Sequence, residues 1–310
     1  MVSPVKLLLA TAWLLLGCAS LLAQEQAPPS APLEKWLDEN IDPEVLQSLS
    51  QLDGERVQEV FSELQQAMIG TNIYQLGALR ETATQLIPLL QKYEETAPYA
   101  DWLQARLDYL EAAAELEREM TAARTNRDVT LPLSSPSLKM QRQVWTRALD
   151  KRPWPPLAQS YVPELKAVFV SEHAPPELVW VAEVESSFNK NARSPAGAAG
   201  MFQLMPQTAG EEQLSLWPWD ERLQPEKSAR AAARYLRALH AHYDDWELAL
   251  AAYNAGEGRV DKLLKQESAR SFEAIARRLP AETQMYVPKV EATVRKREGV
   301  ELEGLRMPKG

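Results

Sequence analysis

The sequence predicts an all-α protein, and three observations carry the prediction. Glycine is scarce, at 12 of 310 residues, which favours helices over a turn-rich sandwich. Apolar residues recur at intervals of three and four along much of the chain. Helix-start signals are explicit, with Pro just inside and an acid in the first turn at Asp42-Pro43-Glu44 and Pro175-Pro176-Glu177. Hydrophobic residues make up 45% and charged residues 25%, so a large core is available and wholesale disorder is excluded. The net charge of -9 argues against a broad nucleic-acid surface, which needs clustered Lys and Arg. One Cys excludes an intrachain disulfide, and with only three His it excludes most zinc clusters. No metal and no cofactor is expected.

The elements follow in order. Residues 1–23 read as an export signal: Lys6 is the only charge before Glu25, and Leu7 to Ala23 is apolar or small. A transmembrane helix is the alternative, and the stretch is short for one. Leu15-Leu16-Gly17-Cys18 resembles a bacterial lipobox, in which Cys18 becomes the acylated first residue, although Leu16 stands where a small residue is usual. Simple cleavage after Ala23 is the other outcome. Residues 24–31 are polar and Pro-rich, a tether. Residues 32–125 form a helical N-terminal region. Val57, Val60, Phe61, Leu64 and Met68 form one stripe, Leu76, Leu79, Leu86 and Leu90 a second, and Trp102, Leu103, Leu107, Leu110 and Leu116 a third. These are core contacts, and the acids between them, such as Glu111, Glu115 and Glu117, are a solvated surface. No chemistry is visible in this half. The pattern breaks between Arg124 and Ser137, where Pro132 and Pro136 interrupt it.

The second half opens with a helix from about Pro163 to Glu172. The next helix carries Glu183 and Glu185, about 200° apart on the wheel, so they do not serve one site side by side. One of them is expected on a wet face. Small residues from Ser194 to Pro206 let a backbone come close to a packed helix or a ligand. A phosphate cradle is rejected there for want of a following Lys-Ser/Thr. Trp217-Pro218-Trp219-Asp220 places two indoles on a loop; exposed, they suit sugar rings, but the core is the commoner place for such a pair. Helices follow over Pro225–Tyr243 and Asp245–Ala255, the second closed by Gly256. His173, His240 and His242 show no partner pattern and read as surface residues.

Four segments carry a family resemblance. Glu185-Ser186-Ser187-Phe188-Asn189, Ser194 to Pro206, Ala252-Tyr253-Asn254-Ala255-Gly256 and Glu282-Thr283-Gln284-Met285-Tyr286-Val287 occur in this order. Together they resemble the lysozyme-like (goose-type) catalytic domain of the soluble lytic transglycosylase family, most similar to its membrane-bound D branch. The resemblance covers about residues 150–295 and implies a helical catalytic domain over 140–298, followed by a tail, 299–310. That branch usually carries LysM modules that grip glycan; none is expected after Tyr286 here.

The resemblance implies cleavage of the β-1,4 bond between N-acetylmuramic acid and N-acetylglucosamine in peptidoglycan, without water, leaving a 1,6-anhydro end. One carboxyl does the work of the usual two. Glu185 matches its position: an acid in apolar surroundings keeps its proton near neutral pH, donates it to the leaving oxygen and then accepts the 6-hydroxyl proton. Ser194 would lie beside the reaction centre. Gln203 would bond an acetamido group, and Tyr253 and Asn254 would line the cleft. Glu282 and Tyr286, one turn apart, would close it. The implied partners are glycan strands and a membrane reached through a lipid anchor; the implied location is the periplasm, at the outer membrane. Three rivals remain: a hydrolytic muramidase with Asp220, Glu221 or Glu282 as second carboxylate, an inactive glycan-binding scaffold, and a protein whose N-terminal half is the working part.

Overall fold

The computed structural model describes residues 63–64, 66–91, 97–124, 133–194 and 196–308. The export signal, Cys18, the tether, the Asp42 helix start and most of the Arg124–Ser137 break lie outside the described residues. Among those described the protein is helical, with only isolated bridges of Ala199 to Arg193 and Leu204 for β-structure. No described helix is long and apolar enough to cross a membrane.

α1 (Tyr74–Ala78) and α2 (Arg80–Leu90) lie on the long α3 (Ala97–Ala122), which packs against α4 (Leu138–Asp150). Gly77 permits this closeness: a Cβ there would stand 2.8 Å from the Ala114 nitrogen. α5 (Ala158–Ser171) faces α8 (Pro225–Tyr243), and α8 faces α9 (Trp246–Ala255). A 3₁₀ turn, Pro176–Trp180, leads into the short α6 (Val181–Ser186), and α7 (Pro206–Glu211) follows the small-residue segment. α10 (Glu257–Glu267) and α11 (Phe272–Ile275) lead to α12 (Ala281–Glu298). α12 is the central element: α4, α6 and α9 all pack on it.

One continuous core runs from Leu64 to Leu305 and takes in both halves of the chain. The second and third predicted stripes, on α1 to α3, lie in it: Leu76, Leu79, Leu86, Leu90, Trp102, Leu103, Leu110 and Leu116 are buried. Each such side chain contributes about 1.5–3 kcal/mol by leaving water, so the N-terminal helices are held to the rest by the same hydrophobic burial that drives folding. Glu111 is exposed, and Glu115 and Glu117 are partly so, as predicted. Beyond α12, Leu302 and Leu305 fold back into the same core.

Four expectations are corrected. α5 begins at Ala158, not Pro163; Pro163 lies inside the helix. Neither Glu183 nor Glu185 is on a wet face, since both are 5% exposed. Glu183 is satisfied by Arg297, whose guanidinium bonds its two oxygens at 2.7 and 2.9 Å. Trp217 and Trp219 are not core: they are 83% and 78% exposed. Of the histidines, His173 and His242 are exposed as expected, His242 lying 3.1 Å from Asp261, but His240 is half-buried and stacked on Trp246 at 4.0 Å between centroids.

Candidate active site

α6 is only six residues long and ends abruptly. Ser187 and Phe188 both adopt left-handed backbone conformations, and their N–H groups turn back to the carbonyls of Glu183 and Ala182. Asn189 N–H bonds Ser186 O rather than Glu185 O. The Glu185 carbonyl therefore lacks the partner that a longer helix would give it. Arg106, from the middle of α3, supplies one: its Nη1 donates to Glu185 O at 3.3 Å.

The same guanidinium reaches two carboxylates. Arg106 Nη2 lies 3.7 Å from Glu185 Oε2, and Nε lies 3.4 Å from Glu282 Oε1. Trp102, one turn earlier on α3, covers its carbon at 4.9 Å from the ring centroid. Burial works against the Arg106 cation, but the charges of Glu282 and Glu185 outweigh it and hold its pKa above the ordinary value. Behind it, Lys289 of α12 bonds Asp108 of α3 at 2.9 Å. Burial is the main cause that pulls the Lys289 pKa down.

Glu185 is the perturbed acid of this cluster. Burial pushes its carboxyl up to about 7; Arg106, Tyr286 and Lys289 pull it down, and Glu282 pushes it further up. Burial prevails because a carboxylate loses more hydration there than one cation at 3.7 Å, without a hydrogen bond, restores. The Tyr286 hydroxyl is buried against the site with no well-aligned partner. Its pKa, and that of Tyr253, are raised well above the phenol value, first by burial and next by the Glu185 charge.

The structure thus brings Glu185, Tyr253, Glu282 and Tyr286 together. The other three predicted residues, Ser194, Gln203 and Asn254, make structural bonds. Ser194 Oγ accepts the Ala198 N–H at 3.0 Å and closes the small-residue loop. Gln203 donates its amide nitrogen to Gly200 O and Ala192 O at 2.9 and 3.2 Å, and its Oε1 is buried without a partner. Asn254 Oδ1 accepts from Thr283 Oγ1 at 2.7 Å, which ties α9 to α12. Tyr253 also donates, to Phe202 O at 2.6 Å.

The small-residue segment is the wall that these bonds hold in place. The Ser186 hydroxyl lies 2.8 Å from Met201 O. Arg222, almost fully buried, donates to Gly197 O and Leu204 O at 2.7 and 2.9 Å while Asp220 holds its other nitrogens. Gly200 is required by that approach, since its φ is +81° and a Cβ would fall 1.9 Å from Arg222 O. The close neighbour of the small residues is thus the Arg222 backbone.

Arg106 and Lys289 are the site residues that the motifs do not mark. Arg106 has a sequence signal: it sits one turn from Trp102, Leu103 and Leu110, inside the apolar stripe of α3, where a charge without a buried partner is costly. Among the described residues no cluster of His, Cys, Asp and Glu suits a metal ion.

Residues 166–276 match the family model described as Transglycosylase SLT domain. The chain is 36% identical over 155 residues to membrane-bound lytic murein transglycosylase D of Escherichia coli K12, covering 49% of this chain and 34% of that protein. It is 35% identical over 121 residues to the soluble lytic murein transglycosylase of Salmonella typhimurium, covering 36% of this chain and 19% of that protein. The chain therefore spans about a third of the length of the first of these relatives. A solved lytic transglycosylase Slt from Pseudomonas aeruginosa aligns over 86% of this chain and 62% of that one, with 19% identity and a TM-score of 0.38, too low to bear on fold or site. Residues 166–276 of this chain thus match the transglycosylase SLT domain, the family that its four motifs resemble.

Proposed function

We propose that the protein is a peptidoglycan lytic transglycosylase with Glu185 as its one acid/base. The observation that carries this reading is a carboxyl 5% exposed and pushed up to about 7, so that a large share of it holds a proton at neutral pH. The relatives named as murein transglycosylases supply the substrate class.

Glu185 donates its proton to the glycosidic oxygen as the bond to N-acetylmuramic acid breaks. The carboxylate formed then takes the proton of the muramic acid 6-hydroxyl, whose oxygen closes on C1. The attacking group is part of the substrate, so proximity replaces a captured water. Tyr286 and Tyr253 flank the carboxyl, and their raised phenol pKa values keep them as neutral donors. The unpartnered Gln203 Oε1 supports a role in accepting an acetamido N–H. Ser194 and Asn254 belong to the cleft wall. Of the candidate second carboxylates for hydrolysis, Asp220 is hydrogen-bonded by Arg222 and Glu221 by Lys227, and an engaged carboxylate is a poor base for water; Glu282 lies beside the Arg106 cation at 3.4 Å.

We place the protein in the periplasm, with Cys18 as a lipid anchor to the outer membrane and glycan strands as its partner. The test is the analysis of fragments released from purified sacculi. Anhydro-muramic ends support the reading; reducing muramic ends would replace it with hydrolysis.

A further inference from the structure

We propose that Arg106 is a positioning residue for Glu185 and that the N-terminal helical region thereby completes the active site. Arg106 lies 60 residues before the stretch that matches the SLT domain, while Glu185, whose carbonyl and carboxylate it faces, lies within that stretch. This inference rests on the reading of Glu185 as acid/base.

The geometry is specific. A guanidinium offers five donors in a rigid fork, and here it donates one hydrogen bond to the Glu185 carbonyl and sets its charge beside two carboxylates. Nη1 caps the Glu185 carbonyl left open by the end of α6. Nη2 faces the Glu185 carboxyl, and Nε faces Glu282 on α12. One cation between two acids balances one of their charges. The site then carries a single surplus negative charge, which a proton on Glu185 removes.

The N-terminal region also fixes the other wall. Gly70 O accepts the Ala281 N–H at 2.6 Å, and Thr71 O accepts from Gln284 Nε2 at 2.9 Å, at the start of α12. Asp108 holds Lys289, two turns further along. Glu282 and Tyr286 lie between these two attachments, so α12 is aligned from α3 and the loop before α1.

The charged and titratable groups around Glu185 are Arg106, Asp108 and Tyr109 from α3, Tyr253 from α9, and Glu282, Tyr286 and Lys289 from α12. Among them Arg106 exerts the largest pull towards ionisation of Glu185. Removing it raises the affinity of Glu185 for its proton.

The test is fragment release from sacculi by the full chain and by Arg106→Gln and Arg106→Lys, as kcat and KM across pH. For Arg106→Gln we expect the alkaline limb of kcat to move up by about one unit, as expected when an opposite charge is lost. We expect kcat to fall about tenfold to a hundredfold from misplacement of the acid, with KM changed little. Arg106→Lys keeps the charge but loses the fork: its limb stays at the wild-type pH while kcat remains low. An unshifted limb in Arg106→Gln overturns the proposal, and so does full kcat in Arg106→Lys, the variant that keeps the buried charge the fold needs. An inactive wild type refutes the reading of Glu185 itself, which separates the two failures.

Discussion

Arg297 holds Glu183 in a bidentate ion pair at 2.7 and 2.9 Å, about 200° round α6 from Glu185. Two buried acids two residues apart have thus been given opposite fates. Glu183 has a cation at hydrogen-bond distance on both oxygens. The nearest cation to Glu185 is 3.7 Å away and is shared with Glu282. The difference is one of partners rather than of exposure, and it fits a structural role for Glu183 and the proposed acid/base role for Glu185.

Glu183→Gln should therefore cost stability and leave the chemistry unchanged in kind. Breaking a buried pair from one side strands a charge, at about 3–5 kcal/mol. Denaturant unfolding of the variant should show that loss, while the released fragments keep the wild-type end group. A change of end group would give Glu183 a part in the reaction.

Glu185→Gln should do the reverse. Its activity should fall at least about 10²-fold, the usual scale for a lost general acid. Its stability should gain with pH. The carboxyl titrates near 7 in the folded protein and near 4.5 as its ordinary value, so between those pH values unfolding releases a proton. Stability due to this group is highest below about pH 4.5, falls as pH rises through the window, and the full cost is present above about 7. Gln does not titrate, so the variant should become more stable relative to wild type across this window. The full difference is about 3 kcal/mol at pH 8. Glu247, which burial also pushes up to about 7, titrates in both proteins and cancels in the difference. Thermal unfolding at pH 4.5, 6 and 8 checks this, and a gap that stays constant with pH would contradict the buried-acid account.

Gly200→Ala should loosen the small-residue segment between Ser194 and Pro206. A left-handed φ and a backbone oxygen 1.9 Å from the added Cβ leave no room without moving Arg222. We expect about 2 kcal/mol or more of destabilisation and reduced fragment release. A variant with wild-type melting and wild-type activity would show that the segment is free to shift.

Cys18→Ser addresses the anchor. The variant should lose incorporation of labelled fatty acid and leave the membrane fraction, while the purified protein still releases fragments. Unchanged membrane retention would argue against lipidation at this residue.

The candidate site residues came from the family resemblance, and the helices that carry them from local apolar patterns. Glu185, Tyr253, Glu282 and Tyr286 converge because α6 and α9 both pack on α12, and the stripes that cause the packing are local patterns. The roles of Ser194, Gln203 and Asn254 were less legible, because small backbone distances, such as those around Gly200, decide what their side chains bond. Arg106 was missed for a different reason. Its α3 stripe reads as apolar, and only the tertiary fold shows that its one charged member meets two acids 79 and 176 positions later. The Trp217–Trp219 loop reversed its expectation because Arg222 and Asp220 anchor the loop without help from the indoles.

The most direct measurement is mass analysis of the fragments released from purified sacculi by wild type and by Glu185→Gln at pH 6. The account predicts 1,6-anhydro-muramic ends from wild type and almost none of any kind from the variant. Equal release by both proteins, or wild-type fragments heavier by one water, would contradict a single buried acid that gives up its proton and takes another back.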